Sequence, residues 1–187
     1  GTIGFHEVQA NDKKIGYIPV GSAITSYARN FTIRAAQKNY HGPDKPGCIY
    51  ADTDRIHCDL KPEQITGIVI HDRNFCAWKL ESCWNTGLFV RQKTYAEHIT
   101  HEDLQTIDKP YWNIKCAGMP DTCKKLFVRS MEGDKASENE SADVKEFLKT
   151  KRTINDFRVG LKVPGKLMPK RVKGGIILKD TTYEMRL

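Results

Sequence analysis

Apolar positions spaced three or four residues apart define the first clear element. Ile24, Tyr27, Ala28, Phe31 and Ala35 follow this spacing after Ser22, and Gly42-Pro43 ends the run. The pattern predicts a helix with one apolar face and an opposite face bearing Thr25, Arg29 and Lys38. Upstream, residues 3–6 and 14–19 flank the turn-prone Asn11-Asp12 and read as two strands. Downstream, the short apolar runs 47–50 and 56–58 enclose Ala51-Asp52-Thr53-Asp54-Arg55, which suits a strand–turn–strand unit with acidic residues at its tip. Residues 62–70 suit a short helix. Residues 75–81, 88–99 and 112–115 are strand-like, the first two separated by Asn85-Thr86-Gly87.

The rest of the chain changes in character. Residues 129–146 are rich in Ser, Glu, Asp and Lys, with few large apolar side chains, and predict an exposed, mobile insertion. Beyond it, residues 157–161 and 174–178 are strand-like and bracket Pro164-Gly165 and Pro169. They predict a long hairpin carrying Arg158, Lys162, Lys166, Lys170, Arg171, Lys173 and Lys179. An antiparallel sheet with packed helices and a C-terminal β-hairpin is an α+β layout. Three segments follow from this: 1–125, an exposed acidic and polar insertion at 126–150, and a basic hairpin at 151–187.

Charge adds a partner class. Lysine and arginine total 30 against 23 acidic residues in 187, a formal net charge of +7, which favours a polyanion. No run approaches the roughly 18 apolar residues that a membrane span needs, and no signal pattern opens the chain, so no membrane partner and a cytoplasmic location are expected. The six cysteines form no C-x-x-C pair, which favours reduced thiols over structural zinc.

Asp52 and Asp54 are the first candidates for chemistry. One residue separates them, so on an extended chain both carboxylates project to one side and can share a divalent cation. Phosphoryl transfer uses two such ions about 3.5–4 Å apart, and hard oxygen ligands suit Mg²⁺. Taken alone, D-T-D also describes an ordinary solvated turn. Lys93 and Tyr95 would likewise face one way on a strand, a pattern that alone carries no chemistry.

Context narrows the choice. Tyr50-Ala51-Asp52-Thr53-Asp54 resembles the Y-x-D-T-D-S signature of family B DNA polymerases, and Lys93-Thr94-Tyr95 resembles their K-x-Y element. Residues 78–95, 114–119 and 157–187, and the helix bearing Thr25 and Arg29, resemble in the same order the protein-primed, bacteriophage branch of that family. The resemblance implies a C-terminal palm and thumb fragment: a partial palm over 1–125 and a thumb hairpin over 151–187. It implies metal-ligand and catalytic roles for Asp52 and Asp54 with Mg²⁺. It also implies DNA contacts by Tyr50, Thr53, Lys93, Tyr95, Lys115, Thr25 and Arg29, and by Lys162, Lys166, Lys170 and Arg171 on the hairpin. The implied partners are primer-template DNA, a terminal protein, and a complementing N-terminal polymerase chain; a sheet edge left open would suit a homodimer.

Two departures qualify the resemblance. Arg55 stands where the signature has serine, so its guanidinium either pairs with an aspartate that a metal would use or points outward to primer phosphate. No D-x-x-S-L-Y-P motif, K-x-x-x-N-S-x-Y-G fingers motif or exonuclease D-x-E element is present. The chain by itself is therefore expected to be inert in polymerisation. The competing reading is a catalytically inactive, prophage-derived remnant that keeps DNA or protein binding. A nuclease or phosphatase is disfavoured, because His57 and His98 are the only nearby groups to complete its site and each reads as a strand residue.

Overall fold

The computed structural model describes residues 16–186. The chain divides into two compact units, with the break between Ile68 and Val69. The first unit contains helix α1 (Ile18–Asn39), the antiparallel hairpin β1 (Cys48–Asp52) and β2 (Arg55–Cys58), and a 3-10 turn at Pro62–Gln64. Pro19 in the first turn of α1 suits a position whose N–H has no intrahelical acceptor.

The face that α1 buries differs from the expected one. Thr32, Ala35 and Asn39 are buried, whereas Ile24, Tyr27 and Phe31 are 64%, 77% and 44% exposed. Among the described residues, burial falls on the C-terminal half of the helix, and there polar groups find partners. The Asn39 amide donates to Ala35 O (2.9 Å) and Thr66 O (3.0 Å) and accepts the Thr66 N–H (2.9 Å), fastening the helix end to the returning chain. The strand expected at 3–6 lies outside the described residues. Of the strand expected at 14–19, residues 14 and 15 lie outside them, and Ile18 and Pro19 belong to α1. The helix expected at 62–70 is a single turn, because Ile65 already leaves helical space at ψ 125°.

In the second unit, β3 (Ser82–Arg91), β4 (Thr94–Glu102) and β5 (Gln105–Cys116) form an antiparallel sheet in the order β3-β4-β5. Helices α2 (Asp121–Glu132) and α3 (Ala142–Lys149) follow, then a two-stranded ribbon of β6 (Lys162–Val172) and β7 (Gly175–Glu184). Helices and antiparallel sheets together make an α+β chain, as expected. Residues 75–81 form no strand, only an isolated bridge between Ile70 and Trp78. Asn85-Thr86-Gly87 is no turn either. Gly87 lies inside β3, where a Cβ would sit 3.0 Å from the Trp84 ring and 3.1 Å from Phe89, so the glycine makes room for an aromatic pair. The real turn is Gln92-Lys93, which divides the expected strand at 88–99 in two.

The polar stretch at 126–150 is not an exposed insertion. Leu126, Phe127 and Ser130 on α2, and Phe147 and Leu148 on α3, are buried. The four apolar residues join Ala96 and Ile114 of the sheet and Phe157, Val163 and Met185 in one core, with the Phe127 and Phe157 rings 5.7 Å apart. A few apolar residues at helical spacing suffice to bury one face, although the segment reads as polar. Gly133 ends α2 in the left-handed conformation, and the Ser141 hydroxyl caps α3 by accepting the Val144 N–H. Between the helices, Arg129 pairs with Glu140, whose carboxylate also accepts the Ser137 N–H.

The ribbon begins later than its pattern suggests. Phe157 and Leu161 are core residues ahead of β6, and Pro164 and Pro169 lie within it. A two-stranded ribbon has open edges, so a missing N–H need not break a ladder bond. A register shift between Pro164 and Lys166 places Gly165, at φ 92°, in a bulge.

Two outcomes test this packing. Phe157→Ala should lower unfolding free energy in urea by about 3–5 kcal/mol, the usual cost of deleting a buried aromatic ring. Arg129 and the Ser137 N–H hold the Glu140 carboxyl down to about 2 from its ordinary 4.5. A depressed carboxyl stabilises the fold above its ordinary value and loses that contribution as pH falls through the depressed one. Glu140→Gln should therefore melt below the parent at neutral pH, with the difference closing between about pH 4.5 and 2 in thermal scans.

Candidate functional site

Thr53 and Asp54 form the two-residue apex of the β1–β2 hairpin, and Asp52 and Arg55 face each other at its base. Thr53 has φ 55°, a conformation that a β-branched residue resists, so the turn stores roughly 1–3 kcal/mol of strain. An external hold comes from α1, where the buried Thr32 donates its hydroxyl to the Thr53 carbonyl at 2.8 Å.

The half-buried Asp52 is engaged locally. Its Oδ1 accepts the Thr53 hydroxyl at 3.0 Å, and its Oδ2 lies 3.4 Å from the Tyr50 phenol, a long contact. The Tyr50 ring tilts against His57 across the strands, with centroids 5.4 Å apart. Asp54 is exposed. The two carboxylates do not project from one extended strand as expected: Asp52 ends β1 and Asp54 lies in the turn, because the positive φ at Thr53 redirects the chain between them.

These aspartates supply two hard-oxygen donors. Among the described residues no group of three or more His, Cys, Asp or Glu could hold a metal ion. The donor set fits part of a Mg²⁺ shell, which demands near-octahedral oxygen coordination, and does not fit a whole one.

The remaining candidates in the second unit occupy three places. Lys93 sits in the β3–β4 turn at φ 56°, exposed, with its carbonyl accepting the Ala117 N–H at 3.0 Å. Tyr95 is only 5% exposed, its ring stacked on Phe89 with centroids 5.5 Å apart. The pair therefore does not stand side by side on a strand, because the turn falls between Arg91 and Thr94 and places Lys93 outside β4. Lys115, exposed on β5, is the register partner of Tyr95 and shares its face of the sheet.

On the ribbon, the bulge sorts the cations. Lys166, Lys170 and Lys179 fall on one face, and Lys162 and Arg171 on the other. Lys162 lies 3.9 Å from Glu184, and Lys166 Nζ lies 5.7 Å from the centre of the Tyr183 ring. The Tyr183 hydroxyl sits 3.1 Å from Cys116 Sγ and donates to the Ala117 carbonyl at 3.4 Å, joining the ribbon base to the end of β5 beside Lys115. Burial, with the Cys116 contact, pushes the Tyr183 phenol up to about 12. On α1, the Thr25 hydroxyl bonds to its own helix at Ser22 O (3.0 Å), and Arg29 is exposed.

Sequence reasoning missed Thr32 and Tyr183 as positioning residues. Each acts through a partner 21 or 67 positions away, Thr53 and Cys116 respectively, and no local pattern marks such a pair.

No family model matches the chain. Comparison with curated proteins finds the DNA polymerase of Bacillus phage B103, 30% identical over 198 residues, and that of Streptococcus phage Cp-1, 27% identical over 186. Each alignment covers 100% of this chain, and the chain spans only 29% and 26% of those proteins. Among solved structures, phi29 DNA polymerase complexed with primer-template DNA matches with a TM-score of 0.64 and 27% identity, over 91% of this chain and 26% of that one. The chain is homologous over its full length to phage phi29-type DNA polymerases, matching their C-terminal part.

Proposed function

We propose that this chain is the palm and thumb portion of a DNA-directed DNA polymerase, acting in DNA replication on primer-template DNA. The observation that carries the proposal is the Tyr50–Asp54 hairpin apex, tied to α1 through Thr32, within a chain homologous end to end to phi29-type polymerases. In this reading Asp52 and Asp54 contribute two ligands to a Mg²⁺ site that another segment completes. The metal, when bound, would stabilise charge on the attacking and leaving oxygens of nucleotidyl transfer.

The residues of this chain then have distinct tasks. The Asp52 and Asp54 carboxylates hold negative charge at the apex, and Thr32 and Tyr50 position them. Lys93 and Lys115 offer exposed ammonium groups to the primer-template backbone, while the buried Tyr95 supports Lys115 from the same sheet face. Thr25 and Arg29 present the outward face of α1 to the priming strand or a terminal protein. Lys166 and Lys170, with Lys179 on the same face, and Lys162 and Arg171 on the other, clasp duplex phosphates without reading bases. The exposed Ile18, Ile24 and Tyr27 of α1 support an apolar partner surface, which we assign to a complementing polymerase segment.

Two experiments test this. Fluorescence anisotropy with a primed duplex should show binding that weakens steeply with salt. Replacing Lys166, Lys170 and Lys179 with Gln should lower the log–log salt slope by about one for each lysine that touches phosphate. Absence of binding at low salt would overturn the DNA-binding role.

For chemistry, the chain mixed with a complementing polymerase segment, primer-template, nucleotides and Mg²⁺ should incorporate nucleotide. Asp54→Asn should reduce incorporation on the order of a hundredfold or more. Unchanged incorporation in that variant would remove Asp54 from the metal site.

A further inference from the structure

Cys48 and Cys58 face each other across the base of the β1–β2 hairpin. The adjoining rung establishes what kind of position they occupy. The Asp59 N–H donates to the Gly47 carbonyl at 3.1 Å, and the Gly47 N–H is taken by the Asp59 carboxylate. The backbone bond puts 47 and 59 at a hydrogen-bonding rung, of whose two ladder bonds one is made, and 48 and 58 at the non-hydrogen-bonding rung beside it. At such a rung, Cα atoms are about 4.5 Å apart and the side chains approach most closely. This lies inside the range of about 4.4–6.8 Å that a disulfide spans without moving the backbone.

Cys48 Sγ donates to the Tyr50 carbonyl at 3.7 Å. Set opposite one another, the two thiols shift apart: the neighbour holds the Cys48 thiol below its usual range and raises that of Cys58. Both cysteines are half-buried and reachable by a small molecule, whereas Cys116 and Cys123 are buried in the core of the other unit.

We propose that Cys48 and Cys58 are a redox-active dithiol, which small-molecule disulfides of the glutathione type oxidise to a bond stapling the hairpin that presents Asp52 and Asp54. The Cys48 thiolate attacks one sulfur of the oxidant, forming a mixed disulfide and expelling a thiolate that takes up a proton. Cys58 then gives its proton to solvent and attacks Cys48 Sγ, expelling the second small thiolate. Two protein thiols become one disulfide, and one small disulfide becomes two thiols. The bond would fix the rung below the bulge at Ile49, where the register shifts between Cys48 and Tyr50, and so restrict sliding of the strand that ends in Asp52. This chemistry depends on the hairpin register alone and stands whether or not the polymerase reading holds.

Trypsin reads the outcome directly, because Arg55 lies between the two cysteines and cleavage leaves them on separate peptides, residues 39–55 and 56–73. The native chain is treated with oxidised glutathione, free thiols are alkylated, and the digest is analysed by mass spectrometry. Expected is a linked pair of these peptides, two hydrogen atoms lighter than their reduced sum, formed roughly tenfold or more faster than in urea. Cys58→Ser should abolish the linkage and accumulate glutathione on Cys48. The proposal is overturned if the exposed Cys76 is modified while Cys48 and Cys58 stay free. It is also overturned if linkage is as fast in urea as in the folded chain, since sequence proximity and not the hairpin would then bring the thiols together.

Discussion

The hydroxyl of Thr32 reaches the carbonyl of Thr53 at 2.8 Å, and through it α1 holds a turn that the turn's own residues resist. A β-branched residue at positive φ costs roughly 1–3 kcal/mol, and a hydrogen bond returns a net of about 0.5–1.5. One bond therefore offsets only part of the strain. The Asp52–Arg55 rung and the Thr53 hydroxyl on Asp52 Oδ1 add to that bond, so the Asp52 carboxylate belongs to a small network that the helix braces. A glycine at 53 would relieve the strain but would also give up that hydroxyl, and with it one constraint on Asp52.

The second unit applies the same logic at larger scale. A two-stranded ribbon is marginal in water unless something else packs against it. Here the anchoring is confined to one end: Val163, Tyr183 and Met185 are buried in the core with α2 and α3, whereas Leu167, Met168, Ile176 and Leu178 are exposed. The bulge at Gly165 marks the change. Beyond it Lys166 and Lys170 fall on the face that Val163 and Tyr183 occupy below it, so a core-facing side becomes a cationic one without any change in strand pairing. Anchored at its base and charged along its length, such an element suits contact with an extended polyanion.

How much of this the sequence disclosed varied with whether the signal was local. The helical spacing after Ser22 and the turn residues around Asp52 placed α1 and the β1–β2 hairpin well, because capping, periodicity and turn chemistry act within a few positions. The buried face of α1 was misjudged, since Ile24 and Tyr27 looked like core whereas burial falls on Thr32, Ala35 and Asn39. Gly87 looked like a turn because glycine signals both turns and close packing, and only the Trp84 and Phe89 rings decide between them. Residues 126–150 looked like a loop because their charged residues outnumber Leu126, Phe127, Phe147 and Leu148, yet those four suffice to bury both helices. The candidate residues were found through the resemblance, and their environments were not: the turn at Gln92-Lys93 separates Lys93 from Tyr95, and burial makes Tyr95 a support beneath Lys115.

Arg55 bears most directly on the proposed metal role. It is the cross-strand partner of Asp52, so in the hairpin it shares a side with that carboxylate where the polymerase signature has a neutral serine. An exposed unit charge a few ångströms away opposes another by about 1 kcal/mol in a water-like medium, and a divalent ion by about twice that. Asp52 meanwhile has about four lone-pair positions and spends two on Thr53 and Tyr50, leaving room for a cation. On the proposed reading, a penalty of that size would weaken Mg²⁺ binding without removing the two carboxylate donors.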